Sequence, residues 1–372
     1  MATPTTSATA MDAGLRDDLI VLSRAINADP ELAYEERRAV QRIEALLGKY
    51  GHAMERGLGG LETAFRARVG PPGRAVALLA EYDALPDVGH GCGHNLIAMT
   101  NVGAFLLAAR RAERLAVGIE LIGTPAEERG GGKIDLLDAG AFRDVVAALS
   151  THPGDKNWNV GGTSLGVVVK RIGFHGLASH AAVSPERGRN ALNGVIRLFT
   201  GVDGWRQHLP DDARVHGIIT NGGAAQNIVP SYAEALFGLR SKDLAVLEDM
   251  IATFAKIAEG AALQTGTTVE ITDEMRLYRP MRPDAKVGDV LVAELEARGV
   301  TVDRGGIVPA STDLGNVSQA VPTDYISFPV SESKIAGHSH AMREASVSEL
   351  AHRNALITTE ALAAAALKLA AE

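Results

Sequence analysis

Two patterns in the sequence predict an α/β protein with a smaller α+β domain inserted into it. In the first part of the 372-residue chain, short apolar runs alternate with helical patterns, which is typical of a sheet covered by helices on both faces. Between residues 167 and 275 the order of predicted elements changes to βαββαβ, the split arrangement of ferredoxin-like domains. At roughly 150 residues per domain, the chain is long enough to hold both.

The elements of the larger domain follow from hydrophobic spacing. Apolar residues at helical spacing predict two amphipathic helices near the start of the chain. Three short apolar runs predict strands, and an alanine-rich stretch between the first two predicts a further helix. The first helix is predicted from Leu15, Leu19, Leu22 and Ile26, and the second from Val40, Ile43, Leu46 and Leu47. The predicted strands are 75–79, 119–122 and 145–149, and the further helix is 103–113.

The elements of the smaller domain are predicted in the same way. Its strands are 167–172, 215–219, 233–239 and 268–271, and its helices are 191–199 and 244–262. Helical patterns then return at 290–298 and 347–369. We therefore assign residues 11–166 and 276–372 to the larger domain, and residues 167–275 to the inserted one.

The composition excludes several classes of protein. Hydrophobic residues make up 46% of the chain and charged residues 22%, which is ordinary globular usage and excludes wholesale disorder. A net charge of −8 disfavours a nucleic acid partner, because phosphate binding needs clustered positive charge. Cys92 is the single cysteine, so no intrachain disulfide can form.

The termini carry no pattern of export or membrane insertion. The first ten residues have neither a basic start nor an apolar stretch of signal-peptide length. The apolar segment 361–371 is interrupted by Lys368 and is shorter than the roughly 20 residues that cross a bilayer. We therefore expect a cytoplasmic protein without a membrane partner.

The densest cluster of metal-binding side chains, in residues 83–95, follows the first predicted strand. Glycines alternate there with His90, Cys92 and His94, and in an extended segment these three side chains would share one face. A thiolate with imidazoles suits a divalent metal such as zinc. Two alternatives stay open: a buried structural thiol, and a nucleophilic cysteine assisted by a histidine.

Further polar residues follow the other predicted strands. Glu127 and Glu128 come after the second strand, where adjacent carboxylates can divide metal binding from proton transfer, although such a pair alone is more often a solvated turn. The next glycines lack the pattern of a phosphate-binding loop and are predicted to shape the site wall. The candidate histidines are His152 after the third strand, His338 or His340 before the last helix, and His180 in the inserted domain. Their placement predicts a metallohydrolase.

Eight motifs in this order resemble the M20 metallopeptidase family. Within it, the chain is most similar to the group of amidohydrolases that contains peptidase M20 domain-containing protein 2 and the p-aminobenzoyl-glutamate hydrolase subunits. The motifs are EYDALP (81–86), GHGCGHN (89–95), GTPAEE (123–128), THP (151–153), ASH (178–180), QNIVP (226–230), STDLG (311–315) and GHS (337–339). Each tripeptide is weak alone, whereas the joint match spans nearly the whole chain.

The resemblance implies a catalytic domain with a mixed sheet that holds two divalent metal ions, zinc or manganese. It also implies an inserted domain that forms a homodimer and a lid over the site. Glu127 would be the general base, and Asp83 would orient a metal ligand. The implied metal ligands are Cys92, His94, Glu128, His152 and His338.

The chain departs from the broader family at three places. Many relatives have His-x-Asp where this chain has Glu81 and Asp83, and an aspartate that bridges the two metals where this chain has Cys92. Asn95 replaces an aspartate that often follows the Cys-Gly-His triplet. The thiolate-containing branch of the family is therefore the better template.

The implied reaction is hydrolysis of an amide bond in a small substrate, a dipeptide or an N-acyl amino acid. His180, Asn227 and Arg240 match positions associated with substrate binding, and the forked donors of Arg240 suit a carboxylate. The alternatives are a p-aminobenzoyl-glutamate-type hydrolase, a hydrolase with Cys92 as nucleophile, a non-catalytic metal-binding assembly subunit, and another carbon–nitrogen cleavage on the same metal site.

Overall fold

This computed structural model describes residues 9–154 and 157–371. They form two units, one made of residues up to 163, 281–307 and from 313 onward, the other of 164–280 and 308–312. The predicted inserted domain, 167–275, lies within the second unit. The short segment 308–312 also joins that unit, which the sequence pattern did not indicate.

The first unit contains an eight-stranded mixed sheet. Numbered in chain order, its strands are β1 (Glu55–Arg56), β2 (Phe65–Val69), β3 (Ala75–Ala80), β4 (Gly118–Gly123), β5 (Val145–Gly154), β6 (Asn159–Val160), β12 (Asp303–Arg304) and β14 (Thr323–Pro329). Their order across the sheet is β1-β2-β4-β3-β5-β14-β6-β12. The centre is parallel, because β3 pairs in parallel with β4 and β5, and β5 pairs in parallel with β14.

Helices cover both faces of this sheet. The first begins where Asp12 accepts a hydrogen bond from the backbone N–H of Leu15, which satisfies an otherwise free amide of the first turn. The helices of the unit are α1 (Ala13–Ala28), α2 (Arg37–Lys49), α3 (His94–Ala109), α4 (Gly132–Asp138), α7 (Ala285–Glu296), α8 (Leu314–Ala320), α9 (His340–Ala345) and α10 (Glu349–Ala370).

The central strand β3 shows how the sheet divides two hydrophobic cores. Alternate side chains of a strand point to opposite faces. Val76 and Leu78 join the core beneath α1, α3 and α10, whereas Ala77 and Leu79 join the core beneath α4 and α8. All six residues of β3 are buried, so the continuous apolar run that predicted this strand is explained by burial on both faces.

Two elements of the first unit differ from the prediction. Helix α3 begins at His94 and ends at Ala109, whereas the sequence predicted a helix over 103–113. Residues His94 to Ala108 of α3 are buried all round, so the helix lacks the polar stripe from which amphipathic helices are recognised. Strand β14 was not predicted, although it pairs with β5 near the centre of the sheet.

The second unit contains a four-stranded antiparallel sheet. The chain order of its elements is the predicted βαββαβ. They are β8 (Gly166–His175), α5 (Ala191–Arg206), β9 (Arg214–Asn221), β10 (Tyr232–Ser241), α6 (Leu244–Thr265) and β11 (Thr268–Tyr278). The strands are arranged in the order β11-β8-β10-β9. Two short strands, β7 (Thr163–Ser164) and β13 (Ile307–Val308), lie where the chain crosses between the units.

No helix within residues 9–154 and 157–371 combines the length and the apolar character that a membrane span requires.

Candidate active site

Polar side chains converge at one edge of the parallel strands in the first unit. Strands β3, β4 and β5 are neighbours and run in the same direction, so their carboxyl ends meet at this edge. Glu81 and Asp83 follow β3, and Glu127 and Glu128 follow β4. His152 lies within the last residues of β5 rather than in a loop after the strand.

The Cys-His segment is a turn, so it does not meet the condition of an extended backbone under which His90, Cys92 and His94 would share one face. Gly93 has φ +79°, a left-handed conformation that turns the chain directly into α3. A Cβ atom on Gly93 would lie 2.6 Å from Cγ of Pro153, so a side chain has no room there. Cys92 and His94 converge, whereas the buried His90 belongs to none of the candidate metal groups among the described residues.

The donor atoms of the five predicted ligands form two groups that share Cys92. Within each group the donor atoms lie within 4.8 Å of one another. Cys92 Sγ lies 3.5 Å from His152 Nε2, and His338 Nε2 lies 3.5 Å from Glu128 Oε2. Two ligands of one tetrahedral zinc lie about 3.3–3.8 Å apart when the bonds are about 2.0–2.3 Å long. The two groups are Cys92, His94 and His152, and Cys92, Glu128 and His338. A third group of donor atoms, from Glu81, His94 and Glu127, does not include Cys92.

Asp83 orients two members of these groups. Its Oδ1 lies 2.9 Å from His94 Nδ1, and its Oδ2 accepts a hydrogen bond of 2.9 Å from the backbone N–H of Glu128. His94 Nδ1 therefore donates to Asp83, and Nε2 is left as the metal-binding nitrogen. His152 is oriented in the same way, because its Nδ1 lies 2.8 Å from the carbonyl oxygen of Pro153.

The unpaired buried atoms at this edge fit metal binding. His94 Nε2 and Glu128 Oε1 are buried and have no hydrogen-bond partner among the described residues. Leaving a buried polar atom unpaired costs about 1–3 kcal/mol, so such atoms usually mark a missing ligand or a strained site. A sulfur, imidazole nitrogens and a carboxylate are together a donor set for a divalent ion such as zinc. The residues present therefore fit a pair of divalent ions.

The pKa values of the cluster are strongly shifted. Burial raises the pKa of Glu127 well above its usual value, and the charges of Glu81 and Glu128 raise it further. Burial also raises the pKa of the Cys92 thiol to about 12. Burial lowers the pKa of His94, but interactions with Asp83 and then Cys92 more than offset this, and the net pKa is well above the usual value. Added positive charge would let these acidic groups ionise together.

A buried lysine neutralises part of this acidic cluster. Lys133 Nζ lies 2.7 Å from Glu81 Oε1 and 2.6 Å from Asp313 Oδ1, and its side chain is fully buried. The second oxygen of Asp313 accepts a hydrogen bond from the backbone N–H of Lys133. The other oxygen of Glu81 lies 3.5 Å from His94 Nε2. Lys133 therefore links helix α4 and the start of α8 to the metal-binding edge.

The structure distinguishes the two candidate histidines near the C-terminus. His338 donates its backbone N–H to the carbonyl of Gly91 and has φ +55°, so the loop is tied to the turn that holds Cys92. His340 is the first residue of α9 and belongs to none of the candidate metal groups in the described part of the chain. The geometry thus favours His338.

The three predicted substrate-binding residues lie in the second unit. His180 and Asn227 are exposed, and Asn227 accepts a hydrogen bond on its backbone carbonyl from the N–H of Ala181. Arg240 lies in β10, is half-buried and donates a hydrogen bond of 3.1 Å to Ser311 Oγ. Burial lowers the pKa of Arg240.

The model of the family "Peptidase family M20/M25/M40" matches residues 77–364. The chain belongs to this family. The M20 chain is 37% identical to the Xaa-Arg dipeptidase of Mus musculus over 366 residues, covering 93% of this chain and 84% of the relative. It is also 36% identical to a p-aminobenzoyl-glutamate hydrolase subunit of Escherichia coli K12 over 261 residues, which cover 65% of this chain and 54% of the relative.

Solved structures share the fold of the M20 chain. The YXEP protein of Bacillus subtilis, described as a dinuclear metal-binding peptidase of the M20 family, superimposes with a TM-score of 0.76 at 18% identity, covering 96% of this chain and 99% of its own. The predicted α/β class with a mixed sheet is confirmed. The predicted family is also confirmed, as is the assignment to enzymes that act on amide bonds.

Several buried charged residues of the M20 chain have no predicted role. Lys133 lies in a glycine-rich segment that lacks the phosphate-loop pattern, and Asp313 lies in a family motif, but neither position indicates an ion pair. Glu81 stands out only as a departure from the family pattern. Glu36, fully buried just before α2, carries no signal at all. Lys133, Asp313 and Glu81 could have been identified from the sequence, because each is a charged residue inside a glycine-rich or apolar segment.

Proposed function

We propose that this M20 protein hydrolyses the amide bond of a small substrate, a dipeptide or an N-acyl amino acid. The observation that carries the proposal is the pair of three-donor groups that share Cys92, with Glu127 beside them. Glu127 Oε2 lies 3.9 Å from His94 Nε2, so its carboxylate faces the same space as the metal-binding nitrogen. Hydrolysis by metal-activated water requires a set of metal-binding donors and, next to it, a carboxylate that can accept the proton of the water.

Each proposed ligand has a defined part. Two divalent ions, zinc or manganese, would be held here, one by His94 and His152 and the other by Glu128 and His338, and Cys92 would serve as a ligand common to both groups. When bound, such ions supply Lewis acidity, which makes water acidic near neutral pH and polarises the amide carbonyl. Asp83 keeps His94 in the tautomer that leaves Nε2 free.

Glu127 carries the proton through the reaction. As general base it removes a proton from the attacking water, the water oxygen bonds to the carbonyl carbon, and the carbon–nitrogen bond then breaks. Glu127 returns the proton to the departing amine nitrogen, so the products are a carboxylic acid and an amine. His180 is proposed to stabilise the developing oxyanion, and Asn227 and Arg240 to bind the substrate, with Arg240 on its carboxylate.

The relatives support two substrate classes. The 37% identical dipeptidase covers nearly the whole chain and favours a dipeptide. Hydrolysis of p-aminobenzoyl-glutamate is the second candidate, because the 36% identical hydrolase polypeptide from Escherichia coli matches 65% of this chain. Both substrates contain an amide bond to an amino acid, so one site chemistry serves both.

An activity screen of the metal-loaded protein tests the proposal. Dipeptides, N-acyl amino acids and p-aminobenzoyl-glutamate are incubated with the zinc-loaded and manganese-loaded enzyme, and the products are identified by mass. A released free amino acid supports amide hydrolysis, whereas ammonia would indicate another carbon–nitrogen cleavage. Bound metal without turnover on the whole panel would favour a non-catalytic assembly subunit. Full activity of metal-free protein, abolished by thiol alkylation, would favour Cys92 as nucleophile.

Replacing Cys92 with serine is expected to lower the metal content from two ions to one or none per chain, and activity with it. A serine hydroxyl is a much weaker ligand than a thiolate, and both donor groups lose a member at once. Metal stoichiometry is measured by plasma mass spectrometry after gel filtration. His340→Ala is the matched control, because His340 lies outside both groups. Unchanged stoichiometry and activity in Cys92→Ser would return Cys92 to the class of buried structural thiols.

We propose that a second copy of the chain binds to the β9 edge of the four-stranded sheet. Strand β9 is an edge strand, and it exposes Ile218 by 62% and Ile219 by 46%. The opposite edge strand, β11, carries Glu270, Asp273 and Glu274, which protect an edge against pairing. Strand β9 carries a single charged residue, Arg214 at its start, so the stretch around Ile218 and Ile219 is suited to pairing with its own copy across a twofold axis.

Ile218→Lys is expected to shift the protein from dimer to monomer, because a charge on each copy would face its counterpart at the pairing edge. The mass in solution is measured by sedimentation or light scattering over a range of concentrations. Thr272→Lys on β11 is the control, since it adds the same charge to the other edge. A wild-type protein that is monomeric at all concentrations would contradict the dimer.

A further inference from the structure

The turn that carries Glu127 and Glu128 has an unusual backbone. Ala126 has φ +60°, a left-handed conformation that is uncommon for a residue with a side chain. Such a residue costs about 1–3 kcal/mol and persists only where its surroundings hold it. The contacts that hold Ala126 in this conformation therefore also fix the directions of the Glu127 and Glu128 side chains.

A carboxylate distant in sequence binds this strained residue. Oε1 of Glu36 accepts a hydrogen bond of 2.9 Å from the backbone N–H of Ala126 and one of 3.0 Å from the backbone N–H of Tyr34. Tyr34 also has a left-handed backbone, with φ +64°. Two strained residues, 92 positions apart in the chain, thus donate to one oxygen of a fully buried side chain.

The Tyr34 side chain contacts the far end of the same turn. Its hydroxyl lies 2.6 Å from Asp135 Oδ2 in α4, and a Cβ atom added to Gly130 would lie 2.3 Å from its ring. Ala126 is also bonded across the turn, because its carbonyl accepts the backbone N–H of Gly131. Residues 34–36 therefore contact both the beginning and the end of the segment 126–135.

Glu127 consequently lies between two anchored amides. The N–H of Ala126 before it is bound by Glu36, and the N–H of Glu128 after it is bound by Asp83. Both acceptors are buried carboxylates on other parts of the chain. The base has little freedom to rotate about its own backbone while both bonds are made.

The geometry points to Glu36 as a positioning residue for the general base, a role that rests on the proposed function of Glu127. Glu36 holds the backbone of Ala126, and so sets the place of the Glu127 carboxylate relative to the attacking water. It belongs to none of the candidate metal groups among the described residues. A displacement of the base by about 1 Å would cost about 10²-fold in rate.

Glu36→Ala is expected to lower kcat by about 10²-fold with little change in KM, because the proposed substrate-binding residues His180, Asn227 and Arg240 lie outside this turn. Glu36→Gln is expected to restore most of kcat, since its amide oxygen can accept both backbone N–H groups. Glu44→Ala, which removes a partly exposed carboxylate on α2, is the matched control and should behave as the wild type. Rates are normalised to folded, metal-loaded protein, so a merely structural role would leave kcat unchanged.

Hydrogen exchange separates this inference from the proposed function. In Glu36→Ala, amide exchange in the peptide that contains Ala126 should rise relative to wild type, and Glu36→Gln should restore protection. This result does not depend on which substrate the enzyme cleaves. Unchanged exchange and unchanged kcat in Glu36→Ala would overturn the positioning role, whereas an inactive wild type with raised exchange in the variant would overturn only the catalytic role of Glu127.

Discussion

Glu127→Gln is expected to lower kcat by about 10²- to 10⁴-fold while both metal ions stay bound. General acid–base catalysis contributes about this factor, and glutamine keeps the shape of the side chain but cannot take up a proton. Glu127 lies outside the two donor groups that share Cys92, but it forms a third group of donor atoms with Glu81 and His94. Retention of both ions in Glu127→Gln is expected if Glu127 acts as the base and not as a ligand. Steady-state kinetics give kcat, and plasma mass spectrometry gives the metal content of the same samples.

The neighbouring residue provides the matched comparison for this experiment. Glu128→Gln makes the same change one position along, but Glu128 belongs to the donor group with Cys92 and His338. We therefore expect Glu128→Gln to lose metal as well as turnover. Wild-type turnover in Glu127→Gln would exclude Glu127 as the base, and loss of metal in that variant would instead make it a ligand.

Those two glutamates show what the sequence could predict about the site. Parallel strands buried on both faces read as continuous apolar runs, so the ends of β3 and β4 were located from sequence to within one residue. Strand β5 continues five residues beyond its predicted end, to Gly154. Polar residues that follow such runs meet at one edge of a sheet. Asp83, Glu127 and Glu128 were therefore recognisable as neighbours before their side-chain positions were known.

The features that escaped prediction depend on contacts between distant residues. Helix α3 is buried all round, so no polar stripe marks its start at His94. Gly93 packs closely on Pro153, 60 residues away, and turns the chain there, so the segment is not extended as a shared face of His90, Cys92 and His94 would require. Glu36 resembles any glutamate in a charged stretch of sequence until Ala126 is placed against it. Local spacing carries no information about such partners.

Lys133→Met is expected to lower the free energy of unfolding by about 3–5 kcal/mol, the usual cost of removing one partner from a buried ion pair. Methionine fills a similar volume, so the loss of stability comes mainly from removal of the ammonium charge. Glu81 and Asp313 would remain buried without their shared cation, next to Glu127. Urea unfolding of wild type and variant, with metal present and again with a chelator, measures the difference.

The double variant Lys133→Met with Asp313→Asn tests whether uncompensated negative charge causes the loss of stability. If uncompensated charge is the cost, removing the Asp313 carboxylate should recover part of the lost stability, so the two changes will not be additive. Lys368→Met provides the surface control: its ammonium pairs with Glu294 but is 55% exposed, and exposed pairs contribute about 0–1 kcal/mol. A loss in Lys133→Met no larger than in Lys368→Met would mean that desolvation of the ammonium cancels its attraction to the two carboxylates.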